Sequence, residues 1–150
     1  MTELTGIKIR KITSRDFPDW IKLRKQLWPE ASYDELKDVE HLFKAQTFVC
    51  FFAESGKDLV GFMELAIRPY ANGCDTTPVA FMEGIWVDDR FQKRGIGLMF
   101  IKTAEDWARS HSLKELASDT RIESTHSIHA HKAWGFEETE RVVYFRKLLC

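Results

Sequence analysis

The chain contains 150 residues, of which 44% are hydrophobic and 30% are charged, and its formal net charge at pH 7 is −1. This length and composition predict a single domain over residues 1–150, because such a chain can bury one sizeable core but hardly two. The near-neutral charge argues against nucleic acid or a membrane surface as a partner. No apolar run reaches the roughly 20 residues of a membrane span, and residues 1–6 lack the apolar core of a signal peptide.

The cysteines and histidines indicate neither a disulfide framework nor a metal site. Cys50, Cys74 and Cys150 are odd in number and form no C-x-x-C pair, which is typical of free thiols in a reducing compartment. Three histidines lie within residues 126–131. Their spacing does not bring three ligands to one helix face, and no carboxylate or cysteine completes the set. We therefore expect a cytoplasmic protein without a metal ion.

The first third of the chain predicts one strand and two helices. The isoleucines of residues 7–12 largely alternate with polar residues, as in a strand. Thr13 or Ser14 is placed to cap a helix with one apolar face, and Pro29 ends that helix. A capping-box pattern at residues 32–35, followed by an apolar stripe, predicts the second helix.

The middle of the chain predicts three strands. Two runs rich in aromatic and branched residues, Phe48–Glu54 and Leu59–Ile67, flank a short polar turn and are typical of a hairpin. A turn-rich loop then leads to a third run, Val79–Val87. Inside this strand Gly84 follows Glu83, and a glycine in such a place often marks a bulge or a close approach of a ligand to the backbone.

The remaining elements complete a mixed α/β (α+β) fold. A helix is predicted at Leu98–Ser110, a short strand at Glu115–Ser118, and a further helix that ends at Trp134 with Gly135 as its C-terminal cap. The tail, Glu140–Leu148, is strand-like again. The order β, α, α, β, β, β, α, β, α, β predicts a mixed sheet with helices on both faces.

The most informative motif is Gln92-Lys93-Arg94-Gly95-Ile96-Gly97, which lies between a predicted strand and a predicted helix. Unpaired N–H groups at a helix N-terminus form a ready site for a phosphate or pyrophosphate. Gly95 and Gly97 lack a Cβ atom, so a ligand can approach the backbone closely. The motif alone also fits an ordinary helix entry, and the chain contains neither a P-loop nor a dinucleotide fingerprint.

The element order, this Q-x-x-G-x-G motif and Trp134-Gly135-Phe136 together resemble the GNAT superfamily of N-acetyltransferases over nearly the whole chain. The resemblance implies a sheet that splays at its centre and holds acetyl-coenzyme A in the gap. It assigns the pyrophosphate to the residues from Gln92 to Gly97 and a role in coenzyme binding to Ser124. His131 takes the position of the general acid that many members carry as tyrosine. Main-chain groups for the pantetheine arm would come from Ile85, Trp86 and Val87.

A narrower resemblance concerns the small, dimeric aminoglycoside 6′-N-acetyltransferases of Gram-negative bacteria. It depends on residues 24–29, 72–75, 81–85, 117–119 and 135–141. It implies a homodimer and an acidic pocket for a polycationic drug. The pocket residues would be Trp28, Tyr70, Glu83, Asp119 and Glu140.

Acetyl transfer from a thioester to an amine needs a neutral amine and a stabilised oxyanion. Glu83 or Asp119 would accept the ammonium proton, directly or through water, and would hold the cation by charge-assisted hydrogen bonds. No nucleophilic serine or cysteine motif is present, which favours direct attack within a ternary complex.

Each of these residues also has an ordinary structural interpretation. Glu83 would then be a surface carboxylate on a bulge, Asp119 a turn cap, and Trp28 part of the core. Two functional alternatives remain at this point. The same chemistry would act on another polyamine or a protein amine, or the chain would bind acyl-coenzyme A without turnover.

Overall fold

A computed structural model describes residues 6–31 and 35–150 and contains a five-stranded mixed sheet. The strands lie in the order β1-β2-β3-β4-β5; the first four are antiparallel and β5 is parallel to β4. The strands are β1 (Ile7–Lys11), β2 (Phe48–Ser55), β3 (Asp58–Arg68), β4 (Val79–Val87) and β5 (Leu116–Ser118). The helices are α1 (Phe17–Leu27), α2 (Glu35–Lys44), α3 (Ile96–Ser110) and α4 (Thr125–Ala133).

The helices cover both faces of the sheet, as the sequence predicts. Alternate residues of a strand point to opposite faces, so Phe62 of β3 packs in a cluster with Trp20 of α1 and Val39 of α2. Met63, the next residue of β3, packs in a second cluster with Phe100 of α3. The apolar residues of β3 therefore contribute to two hydrophobic cores, one on each face of the sheet.

The start of the first helix differs slightly from the prediction. Thr13 is a cap, as expected, but it caps a 3₁₀ turn, Ser14–Asp16, and α1 begins only at Phe17. Asp16 completes a capping box, because its carboxylate accepts a hydrogen bond from the backbone N–H of Thr13 at 2.7 Å. The capping-box pattern predicted at residues 32–35 begins at Ser32, which lies outside the described residues.

The predicted bulge is confirmed and falls at Glu83. In the pairing of β3 with β4, Glu64 lies opposite Gly84 and Leu65 lies opposite Met82. Glu83 is therefore the extra residue of β4, which bends the strand and re-aims the side chains that follow. As a result, Met82 packs on the α3 side while Gly84 contacts α1.

The sheet splays immediately after this bulge. β5 pairs with β4 over three residues only, so that residues 80–82 lie beside residues 116–118. Beyond residue 82, β4 pairs only with β3 within the described part of the chain. The second half of β4 thus presents an open edge, as the predicted fold class requires.

The predicted end of α4 is also confirmed. Gly135 has a φ of 96°, and its N–H group donates to the carbonyl of Lys132 at 3.1 Å. The N–H group of Phe136 donates to the carbonyl of His131 at 3.0 Å. These two bonds form a Schellman motif, which needs the left-handed conformation that glycine adopts without strain.

The predicted strand at Glu140–Leu148 is wrong for the single chain. Residues 136–150 form neither helix nor strand, and the side chains of Val143, Tyr144 and Phe145 are 77%, 77% and 91% exposed. A strand needs a neighbour for its backbone groups, and this segment makes no ladder with the sheet. The sequence pattern indicates that the tail has a high β-propensity. It does not show whether the same chain contains a partner strand for it.

Within the described ranges, no helix is long and apolar enough to cross a membrane.

Candidate active site

A cleft of about 890 Å³ opens on the α1 side of the sheet, next to the bulge of β4. The end of α1, the helix α2, the strands β3 and β4 and the segment after β5 all contribute to its wall. The wall contains both apolar side chains and ionisable ones. The wall includes Leu27, Trp28, His41, Leu42, Glu64, Glu83 and Arg121.

Trp28 lies directly on the bulge. A Cβ atom built on Gly84 would lie 2.6 Å from Cη2 of the Trp28 indole, so only glycine leaves room for the ring. The indole also meets the ring of Phe62 edge-on, with 6.2 Å between the centroids. Gly84 therefore permits close packing of α1 on β4. The group that approaches the backbone at Gly84 is the side chain of Trp28, where the sequence suggested a bulge or a ligand.

Glu83 enters the cleft wall already paired with a cation. Arg68 Nε donates to Glu83 Oε1 at 2.8 Å and Arg68 Nη2 donates to Glu83 Oε2 at 2.6 Å. The guanidinium also stacks on the Phe81 ring, with Cζ 3.5 Å from the centroid. Hydrogen bonding to Glu83 and the nearby charges of Glu83 and Asp119 raise the pKa of Arg68. The predicted pocket carboxylate Glu83 thus already has a cationic partner within the chain.

The other predicted substrate-binding residues lie apart from the cleft wall. Asp119 is exposed and directly follows Ser118, the last residue of β5, which lies opposite Met82 of β4. Tyr70 is 69% exposed in the loop after β3. Glu140 is exposed in the unpaired tail. The single chain therefore brings Trp28 and Glu83 together and leaves these three residues at its surface.

Glu64, which was not among the site residues predicted from the sequence, is 2% exposed and lies in the cleft wall. Its Oε2 accepts a hydrogen bond from Trp20 Nε1 at 2.9 Å and lies 3.4 Å from Arg24 Nε. Burial raises the pKa of Glu64 to about 7, against the opposing effect of Arg24. The sequence did contain a signal for Glu64. A carboxylate inside an apolar strand is costly to bury without a partner, which indicates a specific role for Glu64 as it does for Glu83.

The predicted pyrophosphate loop begins with a turn that Gln92 stabilises. Gln92 Nε2 donates to the carbonyl of Val87 and to Asp89 Oδ1, both at 3.1 Å. Lys93 has a φ of 60° and Gly95, the N-cap of α3, has a φ of 85°. Two left-handed residues in this short loop turn the chain sharply into the helix, whose first N–H groups have no intrahelical acceptor.

The two glycines of this loop have different surroundings. Gly95 needs its positive φ, whereas a Cβ atom on Gly97 would lie 2.7 Å from Cζ2 of Trp134. The space beside Gly97 is thus occupied by an indole that follows α4. Ile96 between them is 1% exposed and packs in the core. Any contact of Ile96 with a ligand would therefore involve its main chain.

His131 and Ser124 lie on α4 and at its N-terminus, across the splay from β4. Nδ1 of His131 lies 2.7 Å from the carbonyl oxygen of Ser127, and Nε2 lies 2.8 Å from Ser118 Oγ. A carbonyl only accepts, so in the neutral ring Nδ1 donates and Nε2 accepts from the serine hydroxyl. The hydroxyl of Ser124 makes no capping hydrogen bond with α4. Among the residues described, no group of three His, Cys, Asp or Glu side chains is arranged to hold a metal ion.

These features fit the adenosine pyrophosphate and pantetheine arm of a coenzyme A thioester. The open edge of β4 leaves main-chain groups at residues 85–87 without a strand partner on that side. The turn at residues 92–97 opens the fifteen-residue helix α3, whose N-terminus attracts negative charge. A sheet that splays after a bulge, next to such a turn and a substrate-sized cleft, defines a coenzyme A-dependent acyltransferase.

The chain belongs to the acetyltransferase (GNAT) family, whose sequence profile matches residues 7–136. It is 41% identical over 141 residues to an aminoglycoside N(6′)-acetyltransferase type 1 of Salmonella enteritidis, covering 93% of this chain and 97% of that protein. A protein of the same name from Acinetobacter haemolyticus is 34% identical over 142 residues, with coverage of 94% and 98%.

Solved structures give the same result. AAC(6′)-Iy in complex with the bisubstrate analogue CoA-S-monomethyl-acetylneamine superposes with a TM-score of 0.92 at 39% identity, over 97% of this chain and 100% of that one. The aminoglycoside 6′-N-acetyltransferase AAC(6′)-Ih of Acinetobacter baumannii gives a TM-score of 0.91 at 35% identity, with coverage of 97% and 100%.

Proposed function

We propose that this acetyltransferase transfers the acetyl group of acetyl-coenzyme A to the 6′-amine of aminoglycoside antibiotics and so confers resistance to them. The observation that carries the proposal is the position of the cleft. Its aromatic wall at Trp28 and its carboxylate at Glu83 both lie at the β4 bulge, next to the open edge suited to a thioester. The relatives named above act on this drug class or bind a neamine analogue, as their names state.

The proposed reaction is a direct attack of the amine on the thioester within a ternary complex. Trp28 would pack against the sugar rings, and Glu83 and Asp119 would hold ammonium groups. One of these two carboxylates would accept the proton that the attacking amine loses. Tyr70 and Glu140 would complete the acidic pocket. His131 is retained as a candidate acid for the thiolate, although its bond with Ser118 must then rearrange.

Coenzyme binding in this proposal depends mainly on the backbone. Main-chain groups at residues 85–87 would bind the pantetheine arm, and the loop from Gln92 to Gly97 would bind the pyrophosphate, with Lys93 and Arg94 supplying positive charge. The unused hydroxyl of Ser124 would bond an amide of the arm. No metal ion is needed for this chemistry.

We also propose a homodimer formed through the C-terminal tail. The tail exposes a row of large apolar side chains and leaves its backbone unpaired within the chain. An exposed segment of this kind is a template for pairing with another strand. A second copy of the chain, joined about a two-fold axis, would satisfy both tails at once.

We place the protein in the cytoplasm as one acetyltransferase domain, without nucleic acid or a membrane as a partner. Three free cysteines support a reducing compartment. The family match over residues 7–136 supports a single domain.

Thiol release on mixing the protein with acetyl-coenzyme A and kanamycin or tobramycin tests the proposal. We expect turnover with these drugs, and mass spectrometry of the product should place the acetyl group on the 6′-nitrogen. A drug with a hydroxyl group at the 6′-position is the matched control and should release no thiol. Turnover with spermine or a lysine peptide but not with the drugs would contradict the substrate. Tight coenzyme binding with no acetylation of any amine would contradict the enzyme itself.

A further inference from the structure

Two residues of α1 and the residue that caps its C-terminus form a stack that ends at the cleft. Trp20, Arg24 and Trp28 are spaced four residues apart, so they follow one another along the same side of the helix. The guanidinium carbon of Arg24 lies 5.9 Å from the ring centroid of Trp20 and 5.2 Å from that of Trp28. A cation between two indoles is attracted by both ring faces. The position of the Trp28 ring is therefore linked to that of Arg24.

Glu64 holds this stack from the sheet side. Its Oε2 bonds Trp20 Nε1 and lies beside Arg24 Nε, as described above. The Glu64 side chain also forms part of the cleft wall. We call Trp20, Arg24, Trp28 and Glu64 the Glu64 cluster.

We propose that Glu64 is a positioning residue of the substrate cleft, which acts through Arg24 to hold the Trp28 indole against the β4 bulge. The proposal rests on the function proposed above, since Trp28 is the wall on which the rings of the drug would pack. A buried carboxylate is costly for stability, and apolar replacements of such ion pairs are often as stable. A role in shaping the cleft gives this chain a reason to keep the charge.

The charge of Glu64 changes in an accessible pH range. Its pKa is raised to about 7, chiefly by burial and also by the charge of Glu83 on β4, while Arg24 and Trp20 of α1 lower it. Cys50 faces it from β2, and burial keeps the pKa of that thiol well above its usual value, so the thiol stays neutral. Glu64 is thus ionised above about pH 7 and protonated below it. The proposed support for Trp28 is present at high pH and is lost as the pH falls.

The first test compares the parent protein with Glu64→Gln by steady-state kinetics at pH 8 and pH 6. The amide keeps the shape and an acceptor for Trp20 but removes the charge. At pH 8 we expect the KM for the drug to rise about tenfold, with kcat and the KM for acetyl-coenzyme A within about twofold, because uniform binding is lost. At pH 6 the ratio of the two drug KM values should fall to about two, since the parent itself is then largely protonated. Taking the ratio cancels the titration of the drug.

Glu54→Gln is the matched control, since Glu54 is also a strand glutamate paired with an arginine, Arg10, but lies away from the cleft. It should leave all three constants unchanged at both pH values. The proposal is overturned if Glu64→Gln leaves the drug KM within twofold of the parent at pH 8. It is also overturned if the ratio does not depend on pH, or if the KM for acetyl-coenzyme A rises equally.

A second test needs neither substrate nor a folded Glu64 variant. The indole N–H resonances of the parent protein are assigned with Trp20→Phe and Trp28→Phe and followed by NMR from pH 5.5 to 8.5. We expect the Trp20 and Trp28 signals to shift with one common midpoint near neutral pH. A Trp28 signal that does not follow Trp20 overturns the proposal. If the parent acetylates no aminoglycoside, the proposed function fails, and this titration still decides whether Glu64 controls Trp28.

Discussion

Arg68 gives Glu83 and Asp119 different tasks. Both oxygens of Glu83 accept hydrogen bonds from the guanidinium, at 2.8 and 2.6 Å. Asp119 makes no such bond in the structure, although its charge acts on the same arginine. Arg68 therefore occupies both oxygens of Glu83, whereas the side chain of Asp119 is exposed. We infer that Glu83 helps to hold an ammonium group of the drug. Asp119 is the better placed acceptor of the proton that the attacking amine loses.

This assignment predicts a different kinetic result for each amide substitution. Asp119→Asn should lower kcat by about 100-fold, the usual scale for a general base, and remove the low-pH limb of the rate profile. Glu83→Gln should mainly raise the KM for the drug, because it removes a negatively charged partner of the drug's ammonium groups. Coenzyme affinity should stay unchanged in both, and Glu123→Gln, on the same exposed segment as Asp119, is the control. If Glu83→Gln abolishes the low-pH limb and Asp119→Asn does not, the roles are reversed.

At the scale of elements, the start of α3 packs closely against the end of α4. The Cα atom of Gly97 faces the indole of Trp134, which in turn lies 5.4 Å from the ring of His131. The loop predicted to bind pyrophosphate and the helix predicted to bind the coenzyme arm are therefore packed on each other. A change at Gly97 should affect the fold as well as the ligand.

Gly97→Ala should lower the free energy of unfolding by about 1–3 kcal/mol, the range for overpacking a well-filled site. The added methyl group would lie 2.7 Å from Trp134 Cζ2. Trp134→Phe removes the part of the indole that it meets, so the cost of Gly97→Ala should fall by at least half in that background. Denaturant unfolding of the four proteins measures both values. An equal cost in the two backgrounds would show that the strain arises elsewhere.

The sequence predicted a structural feature correctly where a residue at one position requires a particular backbone conformation. Glycine beside glutamate inside a strand marked the bulge, and Gly135 marked the end of α4, because each position demands a particular backbone conformation. The tail was misassigned because β-propensity does not identify a partner strand. Glu64 was missed because its importance depends on Trp20 and Arg24, which are more than 35 residues away in the chain and meet it only through the packing of α1 on the sheet. Long-range contacts of this kind leave no periodic pattern in one sequence.

At the scale of the whole molecule, the strand predicted at Glu140–Leu148 is missing from the sheet formed by the described residues. The sheet ends at β5, and the fifteen residues that follow Gly135 run without regular structure. They are not detached from the domain, since the side chain of Thr139 occupies the space beside Gly73 in the loop after β3. The tail therefore packs on the loop that also carries Tyr70, and the tail itself carries Glu140. Pairing of the tail with a second copy would order the surroundings of the proposed substrate site.

We expect the protein to sediment as a dimer at micromolar concentration. The double substitution Val143→Ser, Phe145→Ser should weaken dimerisation at least tenfold, because it removes two of the most exposed apolar side chains of the tail and leaves the backbone unchanged. Ile122→Ser and Leu36→Ser, which alter exposed apolar residues outside the tail, are the controls and should remain dimeric. If the tail orders the substrate site, the KM for the drug should rise with dissociation and that for acetyl-coenzyme A should not. A parent protein that is monomeric throughout the assay range, yet fully active, would separate the tail from the function.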